Sequence, residues 1–233
     1  MELAPSTGMS CFVAELDTNG KVVMVEKVIG DATQGGLDDY RAQSKDIRLS
    51  GTAVAASTVL AASSDGDLNS LRKFLEDGGD PNQAMPRTGT TALMLAAHKG
   101  HVECVQCLLH HGADPARQDN ADGLTATMLA CSVVGSGQTA AVEHMLASTS
   151  TSPSTLGVQR DCDGRTPLLY AARRGHTEAA RLVIKDEPAT VNLCDESGTS
   201  PVMAAAANGH SATLELLLAS DGDPQLADDM GCT

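Results

Sequence analysis

One short segment carries residue types that bind metal ions in many proteins. Cys104 and Cys107 are followed by His110 and His111, and thiolates and imidazoles are the ligands that zinc prefers. On a helix, Cys104, Cys107 and His111 would share one face. No second Cys-x-x-Cys pair exists to complete a site, however, and free cysteine also behaves as a small apolar residue. Core packing therefore explains the cysteines better, and we predict no bound metal and no cofactor.

Three histidines have a side chain suited to acid–base catalysis, because imidazole titrates near neutral pH. They are His101, His176 and His210, and each of them follows a glycine. No Ser, Cys or Asp lies at a matching offset to form a nucleophile–base pair, and no Gly-x-x-x-x-Gly-Lys phosphate loop occurs. Their recurrence at one place in a repeated pattern indicates a structural role. We predict that the chain has no catalytic residues and is not an enzyme.

The segments that carry these residues are copies of one another. Each copy opens with a glycine, and the four glycines lie 34, 41 and 34 residues apart. Two residues later comes a hydroxyl side chain that can cap the N-terminus of a helix. A period of this size is typical of stacked helical repeats. The glycines are Gly89, Gly123, Gly164 and Gly198, and the capping residues are Thr91, Thr125, Thr166 and Ser200.

Each capped segment predicts a pair of short helices. Pro167 and Pro201 stand at the first helical position, where the missing N–H costs nothing. Gly100, Gly175 and Gly209 follow about one helix length later and can adopt the left-handed conformation that ends a helix. A second apolar run with helical periodicity comes next.

This pattern resembles the ankyrin repeat, in which Gly-x-Thr-Pro-Leu-His-x-Ala-Ala precedes Gly-His-x-Glu at fixed offsets. The resemblance implies an all-α ankyrin-repeat solenoid over residues 53–233, with about five repeats and the start of another. Residues 228–233 match the opening of a repeat and stop before its helix. We therefore expect the native protein to continue beyond Thr233 and the last complete repeat to expose apolar surface.

Two departures from the family pattern lead to further expectations. Met94, Met128, Leu169 and Met203 replace the histidine that follows the leucine, so the hydrogen bond made by that histidine should be absent. The repeat that begins after Gly123 is also longer than the period. We expect three extra residues between its two helices and five in the Ser/Thr tract 148–155.

Residues 1–52 lie outside the repeat pattern and form a predicted N-terminal extension. Residues 11–16 and 21–26 indicate a possible β-hairpin, because Asn19-Gly20 between them suits a tight turn with two positive φ angles. Residues 31–39 have the composition of a linker.

Composition limits the partners. The formal net charge of −14 disfavours binding to nucleic acid and favours basic partners. No run of apolar residues is long enough for a membrane span, and the N-terminus lacks the basic start of a signal peptide. Seven cysteines without a disulfide framework fit a reducing compartment. We therefore predict an intracellular protein, cytoplasmic or nuclear, that contacts neither nucleic acid nor membrane.

The resemblance implies a protein–protein interaction module, an adaptor or scaffold that binds on the first-helix face and the turn tips. An alternative is the recognition arm of a larger enzyme, such as a kinase or a ubiquitin ligase, whose catalytic domain lies outside this chain. Charged residues on this face could also be exposed simply because they keep the protein soluble, without any role in binding. The predicted partner-binding residues are Arg87, His98, Lys99, Arg165, Arg173, Arg174 and Asn208. Ser152, before Pro153, is a possible phosphorylation site in what is otherwise a solvated loop.

Overall fold

A computed structural model describes residues 9–16, 22–29, 59–148 and 156–232. Contacts divide the chain into two units, residues 1–51 and 52–233. In the first unit, β1 (Met9–Leu16) pairs antiparallel with β2 (Val22–Ile29), in a register that sets Met9 opposite Ile29. These strands overlap the two predicted hairpin segments. The predicted Asn19-Gly20 turn and the predicted linker lie outside the described residues.

The described part of the second unit contains five pairs of short helices, each made of a first and a second helix. The first helices pack on one another in a row, and the second helices form a parallel row. This arrangement confirms the predicted all-α solenoid. The pairs are α1 (Val59–Asp65) and α2 (Leu68–Glu76), α3 (Ala92–Lys99) and α4 (Val102–His110), α5 (Ala126–Cys131) and α6 (Ser136–Ser148), α7 (Pro167–Arg174) and α8 (Thr177–Asp186), and α9 (Pro201–Ala207) and α10 (Ser211–Ala219); a 3₁₀ turn (Pro188–Asn192) follows α8.

The predicted hydroxyl caps begin four of the first helices. Thr166 Oγ1, for example, accepts a hydrogen bond from the backbone N of Leu169 at 3.3 Å. Pro167 and Pro201 occupy the first position of α7 and α9, as predicted. Because cap and acceptor lie three residues apart, this feature depends on local sequence alone. The other caps are Thr91, Thr125 and Ser200, each of which accepts from the backbone N three residues later at 3.2 Å.

The prediction that methionine removes the cap hydrogen bond was wrong at two positions. The backbone N of Thr91 donates to Met94 Sδ at 3.3 Å, and that of Ser200 donates to Met203 Sδ at 3.5 Å. Thioether sulfur is a weak acceptor, and the unbranched methionine side chain is flexible enough to fold back over the helix start. The substitution therefore weakens the bond without abolishing it.

Hydrogen bonds between successive repeats confirm the structural role of the three histidines. His101 Nε2 lies 3.2 Å from the carbonyl oxygen of Ser64, and His210 Nε2 lies 3.1 Å from that of Arg173. His176 Nε2 lies 2.8 Å from Thr139 Oγ1. Each bond ties the start of a second helix to the repeat before it.

The long repeat takes up its three extra residues in a helix, not in a loop as predicted. α6 has 13 residues, whereas α4 has 9 and α8 has 10. Inserted residues gain backbone hydrogen bonds in the extra turn, which a loop would not provide. Gln138 now stands where the other repeats place histidine, and its Nε2 donates to the carbonyl oxygen of His98 at 3.1 Å. Most of the other predicted insertion, at 148–155, lies outside the described residues.

Candidate protein-binding surface

The cysteine–histidine segment is packed as part of the helix pair α3–α4. Cys104 is buried, whereas Cys107, which was also expected in the core, is half-buried. Burial raises the pKa of the Cys104 thiol to about 11, so this side chain is a protonated thiol at neutral pH. His111 Nδ1 lies 2.8 Å from the carbonyl oxygen of Cys107. Within the described residues, no group of three or more His, Cys, Asp or Glu side chains is arranged to hold a metal ion.

Five turns lie at the N-terminal ends of the repeats, and a repeated aspartate organises four of them; the first has Met85 at this position. We call them the tip turns; they comprise residues 85–90, 119–124, 161–165, 195–199 and 228–232. Asp161 Oδ1 accepts hydrogen bonds from the backbone N of Asp163 at 2.9 Å and of Arg165 at 2.8 Å. Asp195 and Asp228 accept bonds at the same spacing, and Asp119 accepts two bonds from residues three and five positions later. These acids therefore shape the turns.

Backbone hydrogen bonds also link each tip turn to the next. The backbone N of Glu196 donates to the carbonyl oxygen of Asp163 at 3.0 Å, and that of Asp229 donates to Ser197 at 3.1 Å. Equivalent bonds connect Asn120 to Thr88 and Cys162 to Asp122. The tip turns consequently form a continuous edge along the first-helix side of the stack.

Carboxylates dominate this edge, and Arg165 balances some of their charge. Its guanidinium pairs with Asp163, and its Nε lies 3.9 Å from Asp195 Oδ2. Burial raises the pKa of Asp122, and the nearby carboxylates of Asp119, Asp163 and Asp161 raise it further, despite the opposing charge of Arg165. Arg165 is only half-buried, but it is held by acids of its own repeat and the next.

The predicted binding residues divide by exposure. Lys99, Arg173 and Arg174 are exposed at the ends of α3 and α7, and Asn208 is exposed directly after α9. Arg87 is exposed in the first of the tip turns. His98 and Arg165 are half-buried. Burial lowers the pKa of His98, and the adjacent Lys99 charge lowers it further.

One groove brings two of these residues together. It has a volume of about 380 Å³ and is formed by α7, α9 and the last two tip turns. Arg173 and Asn208 line it, whereas Arg87, His98, Lys99, Arg165 and Arg174 do not. Sequence reasoning missed its other principal lining residues, Leu169, Asp195, Met203 and Asp228. The sequence showed that these positions recur in each repeat. Only the folded structure shows that residues of two neighbouring repeats line one groove.

His176 should make stability depend on pH. Burial lowers its pKa below the ordinary value, although the backbone carbonyls of Cys131 and Gly135 oppose this shift. As the pH falls, His176 therefore takes up a proton more readily in the unfolded chain than in the folded chain. Stability should be full above about pH 6.5 and should decline as the pH falls below that value.

Urea unfolding at about pH 7.5 and about pH 5.5 tests this expectation. His176→Gln is the matched variant, because Gln138 already fills the equivalent position in the preceding repeat. The loss of stability on acidification should be smaller in the variant than in the wild type. An equal loss in both proteins would show that His176 is not responsible.

Among the described residues, no helix combines the length and the apolar character that crossing a bilayer requires. Comparison with known proteins agrees with the repeat architecture. The family described as ankyrin repeats (3 copies) matches residues 59–155 and 133–228.

Three similar proteins carry the same kind of sequence. Ankyrin repeat domain-containing protein 63 of Mus musculus is 48% identical over 64 residues, which is 26% of this chain and 15% of that protein. Its Homo sapiens counterpart is 46% identical over 63 residues, 26% of this chain and 16% of that protein. A 26S proteasome non-ATPase regulatory subunit 10 of Dictyostelium discoideum is 34% identical over 70 residues, 29% of this chain and 30% of that protein. Each match thus spans less than a third of the relative.

Together with the capped helix pairs and the stacked tip turns, the family match over most of the chain shows that this protein belongs to the ankyrin repeat family.

Proposed function

We propose that the protein is a non-enzymatic adaptor or scaffold that binds partner proteins on the first-helix side of its stack. Ankyrin repeats indicate a protein–protein interaction module. The observation that carries the proposal is the exposure of three basic side chains, Lys99, Arg173 and Arg174, at the ends of the first helices α3 and α7.

Arg173 and Arg174 are the residues most suited to a partner contact. Both are exposed, and neither forms an ion pair with any described residue. The backbone carbonyl of Arg173 is held by His210 of the next repeat, so its position in the stack is fixed. Arginine is enriched at the energetically dominant positions of interfaces. The proposed contact surface also includes Arg87, His98, Lys99 and Asn208, and Arg165 shapes its edge.

Charge and composition support the choice of partner class. The net charge of −14 repels the phosphates of nucleic acids, so protein partners are favoured. Six cysteines in the described residues are free, which suits a reducing compartment inside the cell. One of the relatives is by its name a regulatory subunit of the proteasome; a place in a larger assembly would also suit this chain.

Replacing Arg173 and Arg174 together by glutamate should weaken partner binding and leave stability nearly unchanged. Exposed charge changes usually alter the free energy of unfolding by no more than about 0.5 kcal/mol. Affinity capture from cell lysate with the wild type and the variant, quantified by mass spectrometry, measures the effect on binding. Proteins retained by the wild type should be depleted severalfold on the variant.

The matched control is Arg181→Glu with Lys185→Glu, which makes the same change in net charge on the exposed side of α8. It should retain the proteins that the first variant loses. The proposal fails if no retained protein distinguishes the two variants.

A further inference from the structure

The long repeat leaves an apolar side chain on the surface where its two helices meet. Val134 lies between α5 and α6, and 61% of it is exposed. The repeats that contain α3 and α7 connect their two helices through a glycine and a histidine alone. The exposed valine is therefore a feature of the insertion and not of the repeat pattern. Because α6 packs between α4 and α8, this exposure does not arise from an end of the stack.

Val134 borders an open groove between the first turns of α6 and α8. The groove has a volume of about 540 Å³, which lies in the range of sites that bind ligands. One wall is a single face of α6, because residues three or four positions apart lie on the same side of a helix. Thr139, Ala140 and Glu143 form this wall, and Thr177 and Glu178 of α8 form the other.

Hydrogen bonds fix the shape of this groove. Thr139 Oγ1 donates to the carbonyl oxygen of Gly135 at 3.0 Å and lies 2.8 Å from His176 Nε2. His176 is 4% exposed and closes the floor between the two helices. A groove that is already formed needs little ordering when a partner binds, which favours affinity.

Both charged side chains in the groove are carboxylates. Glu143 is exposed and forms no ion pair with any described residue. Glu178 Oε2 lies 3.4 Å from Arg181 Nε, but both side chains are more than half exposed, and such pairs contribute little. No lysine or arginine is among the described residues that line the groove. Burial lowers the pKa of His176, so its imidazole adds no positive charge at neutral pH.

The two helix N-termini do not reverse this charge. The start of a helix carries partial positive charge, which acts mainly within the first turn. Glu178 is the second residue of α8 and offsets that charge. Glu143 is the eighth residue of α6, about 10 Å along the axis from its start, where the effect has faded. The groove therefore attracts a cation more strongly than an anion.

We propose that this groove binds an exposed segment of a partner protein that carries an aliphatic residue and a lysine or arginine about three positions apart, because an extended chain covers about 10 Å in three residues. The aliphatic side chain packs on Val134 and Ala140, and the cation pairs with Glu143 and Glu178. This inference goes beyond the proposed function. It gives the chain a second contact surface, opposite in charge to the one formed by exposed lysine and arginine at the ends of α3 and α7.

Selection from a displayed library of random peptides of roughly ten residues, on the immobilised chain, tests the proposal. Peptides that also bind the double variant Val134→Ser with Glu143→Lys are removed in each round, so those retained depend on the groove. Both positions are exposed, so the variant should unfold at nearly the same urea concentration as the wild type. Retained peptides should share a lysine or arginine about three positions from Leu, Ile, Val or Met. Retention of acidic peptides, or of none, would overturn the proposal.

A charge swap then tests the contact with Glu143. Synthetic peptides of the retained sequence should bind Glu143→Lys about tenfold or more weakly than the wild type. Changing the basic residue of the peptide to glutamate should improve binding to Glu143→Lys and weaken binding to the wild type. Glu215→Lys, which makes the same charge change at an exposed position of α10, should bind the original peptide as the wild type does. An equal loss on both protein variants, or no rescue by the glutamate peptide, would contradict this contact.

Single substitutions of Val134 test the apolar contact without a change in charge. Val134→Ser should bind the retained peptides severalfold more weakly, because it removes apolar area from the interface. Val134→Ile keeps that area and should bind them at least as well as the wild type. If Val134→Ser binds as tightly as the wild type, the aliphatic side chain does not pack here and the proposal is wrong.

The double variant Arg173→Glu with Arg174→Glu separates this inference from the proposed function. Neither arginine lines the groove, so the variant should not weaken binding of the retained peptides. If these peptides are lost on that variant, they bind the arginines and the inference fails. If the peptides are kept but no lysate protein depends on the arginines, the inference stands and the proposed contact surface on the first helices is wrong.

Discussion

Replacement of Leu168 by alanine should lower the free energy of unfolding by about 2–5 kcal/mol, because it removes a fully buried side chain and leaves a cavity. Leu168 is 0% exposed and is the second residue of α7, a helix that packs against α5, α8 and α9. The surrounding helices are held by the caps and by the bonds between repeats, so the cavity should not collapse easily. Urea unfolding followed by circular dichroism measures the change.

Leu218→Ala is the matched control for this prediction. The chemistry of the substitution is the same, but Leu218 on α10 is 44% exposed, so much less apolar area is lost from the folded state. We expect a loss well below that of Leu168→Ala. Equal losses would show that the assigned packing of α7 is incorrect.

Replacement of Gly175 by alanine should be the other severe change. Gly175 has φ +69°, a conformation that costs an alanine about 1–2 kcal/mol. A Cβ at this position would also stand 2.5 Å from His210 Nδ1 of the next repeat. Displacing that ring disturbs its contact with the Arg173 carbonyl and adds about 1–3 kcal/mol, as overpacked sites usually do. The total expected loss is about 2–5 kcal/mol.

Gly209→Ala separates the two causes. Gly209 has a similar φ of +71°, but a Cβ there would meet nothing within 4 Å. This variant should therefore show only the conformational cost of about 1–2 kcal/mol. If the two variants unfold at the same urea concentration, the contact between Gly175 and His210 adds nothing to the stability of the stack.

The helix caps and the first-turn prolines were predictable because the residues that form each of them lie close together in the sequence. Thr166 caps a helix whose N–H is three residues away, and Pro167 fits the first turn wherever that turn lies. Because similar copies of one segment recur at a regular period, the sequence also indicated that the helix pairs stack. For the same reason, the recurrence of the histidines indicated a structural role.

Departures from the repeat were harder to interpret from the chain alone. The extra residues of the long repeat looked like a loop, but they extend α6 and bring Gln138 to the position of a histidine. Met94 and Met203 looked unable to replace a histidine, yet their sulfur atoms accept the cap hydrogen bond. Spacing along the chain specifies neither whether inserted residues continue a helix nor the direction in which a side chain points.

The candidate site depended most on tertiary structure. Arg165 and Arg173 are the same residue type within one repeat, and sequence reasoning gave them the same role. Folding places Arg165 between Asp163 and Asp195 of successive tip turns, whereas Arg173 is left exposed at the end of a groove shared with α9. The sequence by itself determined the repeat, the caps and the supply of charges. Which charges neutralise one another and which remain exposed was decided by the stacking of neighbouring repeats, because that stacking sets the distances between residues more than 30 positions apart.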